Sequence, residues 1–148
     1  MQIKLVPADE SHKAALLALR KLTMTEHLQS SGVFIDDKEH LRRLEINYAY
    51  QHLIQTEFNG SVQTVGGAQF LENDVQIKLF QIQVYPEFQN RGIGAAVIDI
   101  LKQKAQASQK PLRLTVLKTN RAKGLYENLG FSQYGEDELE FWMQWLPN

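Results

Sequence analysis

The chain has 148 residues, a formal net charge of -1, 43% hydrophobic residues and no cysteine. That length suits one domain, residues 1–148, large enough to bury a core without staples. Near-neutral charge argues against a nucleic-acid partner, no apolar stretch reaches membrane-span length, and zero cysteine excludes disulfides, thiolate zinc sites and a cysteine nucleophile. The start, "MQIKLVPADE", lacks the apolar core of a signal peptide, so a cytoplasmic protein is expected. The four histidines (His12, His27, His40, His52) have no metal-ligand spacing, and no metal is expected.

Gln2 to Val6 reads as a first strand. Asp9 or Ser11 can cap a helix running through Ala14, Leu16, Leu19 and Leu22. "SSGVFIDD", Ser30 to Asp37, is a loop. Asp36 or Asp37 caps a second helix with Leu41, Leu44 and Tyr48 at helical spacing. His52 to Phe58 and Ser61 to Leu71 then flank Asn59-Gly60, a two-residue hairpin signal. Asn73-Asp74 is a second tight turn, and Val75 to Val84 is the third strand of the meander.

That third strand slips in parity. Val75, Ile77 and Leu79 are apolar at odd positions, whereas Phe80, Ile82 and Val84 are apolar at even ones. Strand side chains alternate with period two, so one extra residue near Leu79 to Gln81, a β-bulge, restores a single apolar face. A strand buried on both faces needs no bulge, but Gln81 and Gln83 make that reading less natural.

Next, Ile93, Val97, Leu101 and Ala105 recur every four residues in a helix, and Leu112, Leu114 and Val116 alternate in a strand. Strand, helix and strand form one crossover, which makes the two strands parallel. "TNRAKGLYENLGF" is a short helix with Gly130 placed to end it and Phe131 placed for the apolar contact that follows. Phe131 to Tyr134 and Glu138 to Leu146 close the chain as strands, with Leu139, Phe141, Met143 and Trp145 on one face.

Between the third strand and the long helix lies Gly92-x-Gly94. A Walker loop needs a lysine and a hydroxyl residue after its last glycine, and Ala95-Ala96 stand there instead. A dinucleotide fingerprint needs a third glycine, where this chain has Val97, and a ribose-binding acid that the strand "LRLTVLK" does not supply. What remains is a tight turn at a helix N-terminus. Its unpaired N–H groups either bind an anion or bind nothing.

"IQVYPEFQNRGIGAAVI", Ile82 to Ile98, resembles the acetyl-CoA-binding motif of the GNAT (N-acetyltransferase) superfamily. It has a strand ending in Val84-x-Pro86, then Gln89-Asn90-Arg91-Gly92-Ile93-Gly94, then a helix. "LTVLKTNRAKGLYENLGF", Leu114 to Phe131, is similar to the family's second block. The resemblance implies an α/β (α+β) fold. Its single domain would hold a mixed, mostly antiparallel twisted sheet with a parallel, splayed strand pair, flanked by about four helices.

The resemblance also implies roles. Backbone N–H groups of Gln89, Asn90, Arg91, Gly92, Ile93, Gly94 and Ala95 would hold the pyrophosphate. Main-chain atoms of Ile82, Gln83 and Val84 would pair with pantetheine, and an N–H there would face the thioester oxygen. Asn120 would bond the pantetheine amides, cap the following helix, or do both. Tyr126 would touch the cofactor and protonate the leaving thiolate, against a plain core-packing role beside Ala122 and Leu129. Lys123 would reach a CoA phosphate or stay solvated.

Many members carry a glutamate base on the bulged strand, where this chain has Gln81 and Gln83. Glu26, His27, Tyr48 and Tyr85 are the other candidates for the acceptor side. The implied activity is transfer of acetyl from acetyl-CoA, with no metal, directly to a primary amine in a ternary complex. The acceptor would be a small-molecule amine or a peptide N-terminus, with no nucleic-acid or membrane partner; a homodimer is compatible. A non-catalytic acyl-CoA-binding module on the same fold is the alternative.

Overall fold

Among the described residues, seven strands form one sheet in the order β1-β2-β3-β4-β5-β7-β6 in the computed structural model. The structure describes residues 2–30 and 34–148, with side chains described outside 25–30. The strands are β1 (Ile3–Pro7), β2 (Gln51–Phe58), β3 (Ser61–Glu72), β4 (Ile77–Val84), β5 (Leu112–Leu117), β6 (Ser132–Glu136) and β7 (Glu140–Trp145). The helices are α1 (Lys13–Ser30), α2 (Asp37–Ile46), α3 (Ile93–Ser108) and α4 (Ala122–Asn128). Every neighbouring strand pair is antiparallel except β4 and β5. The mixed sheet, its parallel pair and the four helices match the sequence expectation.

Local chemistry accounts for the element ends. Asp9 accepts from the Ser11 N–H and, with His12, forms a reciprocal cap on a one-turn 3-10 segment ahead of α1. Asp36, one of the two proposed caps, accepts from the Glu39 N–H and starts α2. Asn59 and Gly60 both have positive φ and join β2 to β3, with Phe58 facing Ser61. At the end of α4 the Phe131 N–H reaches the Tyr126 carbonyl (3.0 Å) and the Gly130 N–H reaches that of Glu127 (3.0 Å). Gly130, at φ 96°, takes the left-handed position that this closure requires. The accompanying apolar contact is an edge-on packing of Tyr126 on Phe131, with ring centroids 5.7 Å apart.

Two apolar clusters hold the layers. Ile93, Val97, Leu101 and Ala105 of α3 are all buried against Ile77 and Leu79 of β4 and Leu112, Leu114 and Val116 of β5. Each fully buried aliphatic side chain there is worth about 1.5–3 kcal/mol relative to exposure. The smaller cluster joins Leu16 and Leu19 of α1 to Leu44 of α2 and Leu53 of β2.

Three expectations need correction. Val75 lies in the turn before β4 and is exposed, because the Asn73 side chain accepts from the Val75 and Gln76 N–H groups and holds the chain in a tight turn there. Leu139 is likewise in the turn before β7, which the Asp137 carboxylate stabilises by accepting from the Leu139 and Glu140 N–H groups. Tyr48 belongs to a separate 3-10 turn after α2, although its ring still packs on the smaller cluster. The expected first helix is present as α1, with Leu16, Leu19 and Arg20 buried and Ala14 and Leu22 exposed. Of the loop proposed at Ser30 to Asp37, residues 31–33 lie outside the described residues.

Candidate active site

β4 carries the bulge that its parity slip implies. Gln69 of β3 faces Gln81 and Phe70 faces Leu79, leaving Phe80 as the extra residue. The slip lets Ile77 and Leu79, before it, and Ile82 and Val84, after it, reach the same apolar cluster. A bulge bends its strand and increases the local twist. The parallel pairing of β4 with β5 is confined to Ile77 with Leu112 and Lys78 with Arg113, just before the bulge. Beyond it the two strands part.

A cleft of about 500 Å³ occupies this opening. β4 contributes Ile82, Gln83 and Val84; Gln89 comes from the loop, and Gly94 and Ala95 from the first turn of α3. Asn120 and Tyr126 form the wall on the β5 side, and Leu22 and Thr23 of α1 lie across the cleft. Leu22 is 63% exposed for that reason: it faces the cleft rather than the core. Asn90, Arg91 and Gly92 sit on the loop without lining the cleft, and the Ile93 side chain points into the core. Those four could reach a ligand at the loop only as its outer rim or through backbone groups.

The loop is built to present N–H groups. Gly92, at φ 80°, precedes α3 and provides no side-chain cap. The Gln89 side chain donates to the Val84 carbonyl at 2.9 Å and ties the loop to β4. A Cβ on Gly94 would meet no protein atom within 4 Å, so the glycine leaves that stretch of cleft wall open to a ligand.

A second cavity, of about 320 Å³, meets the first: Met24, Ile82, Asn120 and Tyr126 line both. Tyr126 therefore stands where they join. Burial raises its phenol pKa, which keeps the proton on at neutral pH. The Asn120 Oδ1 accepts from the Ala122 N–H at 3.0 Å and so stabilises the turn that enters α4, but Arg121 and not Asn120 is the N-cap residue; the amide nitrogen is what the side chain can offer the cavities. Lys123 lies 4.3 Å from the Phe141 ring centroid, a cation–π contact. Tyr48 donates its hydroxyl to the Asp9 carbonyl and Tyr85 packs on the smaller cluster, so both have structural work. The Glu26 and His27 side chains lie outside the described residues.

Sequence reasoning missed Arg20, which is 2% exposed and lines the second cavity. Its Nη1 donates to the Gln81 Oε1 at 2.5 Å, and the Gln83 Nε2 donates to the same oxygen at 2.8 Å. Burial, with the charge of Arg43 adding to it and that of Glu39 opposing, lowers the Arg20 pKa to about 10. The available signal was its spacing: four residues after Leu16 and one after Leu19, a charge falls inside an apolar stripe.

A sequence profile described as an acetyltransferase (GNAT) domain matches residues 26–147. The chain belongs to the GNAT acetyltransferase family, in which acetyl transfer from acetyl-CoA is general. Solved structures repeat the fold over nearly the whole chain. An acetyltransferase from Thermus thermophilus superposes with a TM-score of 0.74 at 16% identity, covering 97% of this chain and 96% of that one. The PaiA N-acetyltransferase from Thermoplasma acidophilum, solved in complex with coenzyme A, gives 0.67 at 12% identity over 99% of each chain. A GNAT-family acetyltransferase from Bacillus anthracis gives 0.70 at 12%, over 99% of this chain and 95% of that one. No curated protein matches the chain in sequence. Among the described residues no helix is long and apolar enough to cross a membrane.

Proposed function

We propose that residues 1–148 act as one N-acetyltransferase domain, moving acetyl from acetyl-CoA to a primary amine by direct attack while both are bound. The observation that carries this reading is the joining of two cavities at Tyr126 and Ile82, one running to the bare N-terminal turn of α3 and one leading away from it. Coenzyme A supplies the acetyl group as a thioester. The backbone of Gln89 to Ala95 would hold its pyrophosphate, and the free edge of Ile82, Gln83 and Val84 would hold its pantetheine arm. The open wall at Gly94 and the unpaired stretch of β4 are the features that fit it.

In the step itself the amine nitrogen bonds to the carbonyl carbon and the carbon–sulfur bond breaks. A backbone N–H of the bulged strand offsets the charge that develops on the carbonyl oxygen. Tyr126 gives its proton to the departing sulfur. The proton lost by the nitrogen goes to water or to Glu140, the one carboxylate on the second cavity's wall among the described residues. The rest of catalysis is positioning.

A thiol-release assay with acetyl-CoA over a panel of amines and peptides tests this. Turnover is expected, and Tyr126→Phe should lower kcat by about 10²-fold or more while changing acetyl-CoA affinity little. Unchanged turnover would remove Tyr126 as the acid. Tight acetyl-CoA binding with no turnover of any amine would favour the acyl-CoA-binding module.

A further inference from the structure

The second cavity has a charge pattern that bears on the acceptor. A buried guanidinium ordinarily lies against a carboxylate, because lost hydration otherwise goes uncompensated. Arg20 does not: its Nη1 meets the neutral amide of Gln81, its Nε has no partner, and no carboxylate among the described residues pairs with it. Arg43 stands on the same cavity wall, with its Nε 3.0 Å from Glu39. Glu39 is shared with Arg42, which binds both of its oxygens. Among the described residues one carboxylate thus serves Arg42 and Arg43, and Arg20 has none in contact. On the β7 side the cavity carries the opposite sign, from Glu140, whose Oε2 accepts from the Thr115 hydroxyl at 2.9 Å.

We infer that the acceptor is a small amine that also bears a carboxylate, held by Arg20 and Arg43 while its amino end reaches the junction at Tyr126. This rests on the acetyltransferase reading above. Guanidinium groups suit the task because their planar donors match a carboxylate in pairs. The Gln81–Gln83 pair aims the Arg20 group, since both donors converge on one amide oxygen. A volume of about 320 Å³ suits a compact amino acid. The cations on the wall would repel a polyamine, which has ammonium groups at both ends.

The test compares free amino acids with their carboxamides and their decarboxylated amines in the thiol-release assay. N-terminal peptides with amidated C-termini form a further arm. Free amino carboxylates are expected to show kcat/KM about tenfold or more above the matched neutral-ended amines, the scale of a charged hydrogen bond. Arg43→Gln, at a partly exposed position that tolerates change, should abolish most of that preference through KM; Arg20→Met should do the same if it folds. Equal rates for carboxylates and carboxamides, preferred turnover of amidated peptides, or a preference that survives Arg43→Gln would overturn the inference. If no amine is acetylated, the acetyltransferase reading fails separately. The anion site is then judged by melting temperature of the CoA-saturated protein. Stabilisation by amino carboxylates and not by carboxamides, lost in Arg43→Gln, supports it; no such stabilisation overturns it.

Discussion

His40 is 2% exposed on α2, and burial, with the nearby charge of Arg20 next in weight, holds its pKa below the ordinary value of 6.5. The folded state therefore binds this proton less readily than the unfolded chain does. The corresponding stability is complete above about pH 6.5 and drains away as pH falls toward the lower folded value. His52 shifts in the same direction, chiefly through burial. The melting temperature should thus fall between pH 7.5 and 5, on the order of a few degrees, and His40→Gln should flatten that slope whatever it does to stability at pH 7.5. An unchanged slope would assign the effect elsewhere. His40 does not stand out in the chain as a buried group, and Arg20 is marked only by its place inside an apolar stripe. An amphipathic pattern identifies apolar residues on an inward face, whereas polar residues inside it are decided by partners from other elements. The helix-ending role of Gly130 was legible because it acts within one local turn.

At the level of elements, β4 is more legible in the chain than its partner β3. The bulge left a mark because glutamines on one face broke an otherwise regular alternation. Gly66 and Gly67 of β3 left none, since their need for glycine comes from other elements: the β4 backbone at Gly66, and the Leu16 and Gln51 side chains at Gly67. Gly66 faces Val84, and a Cβ there would sit 2.1 Å from the Gln83 carbonyl oxygen. Gly66→Ala must therefore push β3 from β4 along the segment that lines the cleft. We expect a loss of about 1–3 kcal/mol in urea unfolding, the usual scale of overpacking, together with weaker acetyl-CoA binding. Full-strength binding by a destabilised variant would show that the cleft edge adapts independently of this contact. Alternation alone starts β4 and β7 too early, because Val75 and Leu139 continue it. The Asn73 and Asp137 side chains override it by bonding to the backbone of the turn.

For the whole molecule, the order of elements and the parallel crossover follow from periodicity and chain-connection rules, and the first cavity follows from motifs lying close together in the chain. The second cavity does not. It is assembled from Arg20, Arg43, Gln81, Thr115 and Glu140, on five elements, each residue ordinary in its own neighbourhood. Only the packing of α1 and α2 over the bulge brings their charges to one wall. The junction of the two cavities at Ile82, Asn120 and Tyr126 has a kinetic consequence for the proposed reaction: donor and acceptor would each have their own approach, so neither product would have to leave before the other substrate arrives. Double-reciprocal plots at several fixed amine concentrations should intersect, and free CoA should compete with acetyl-CoA but not with the amine. Parallel lines would instead mean that CoA leaves an acetylated protein before the amine arrives, which would overturn direct transfer.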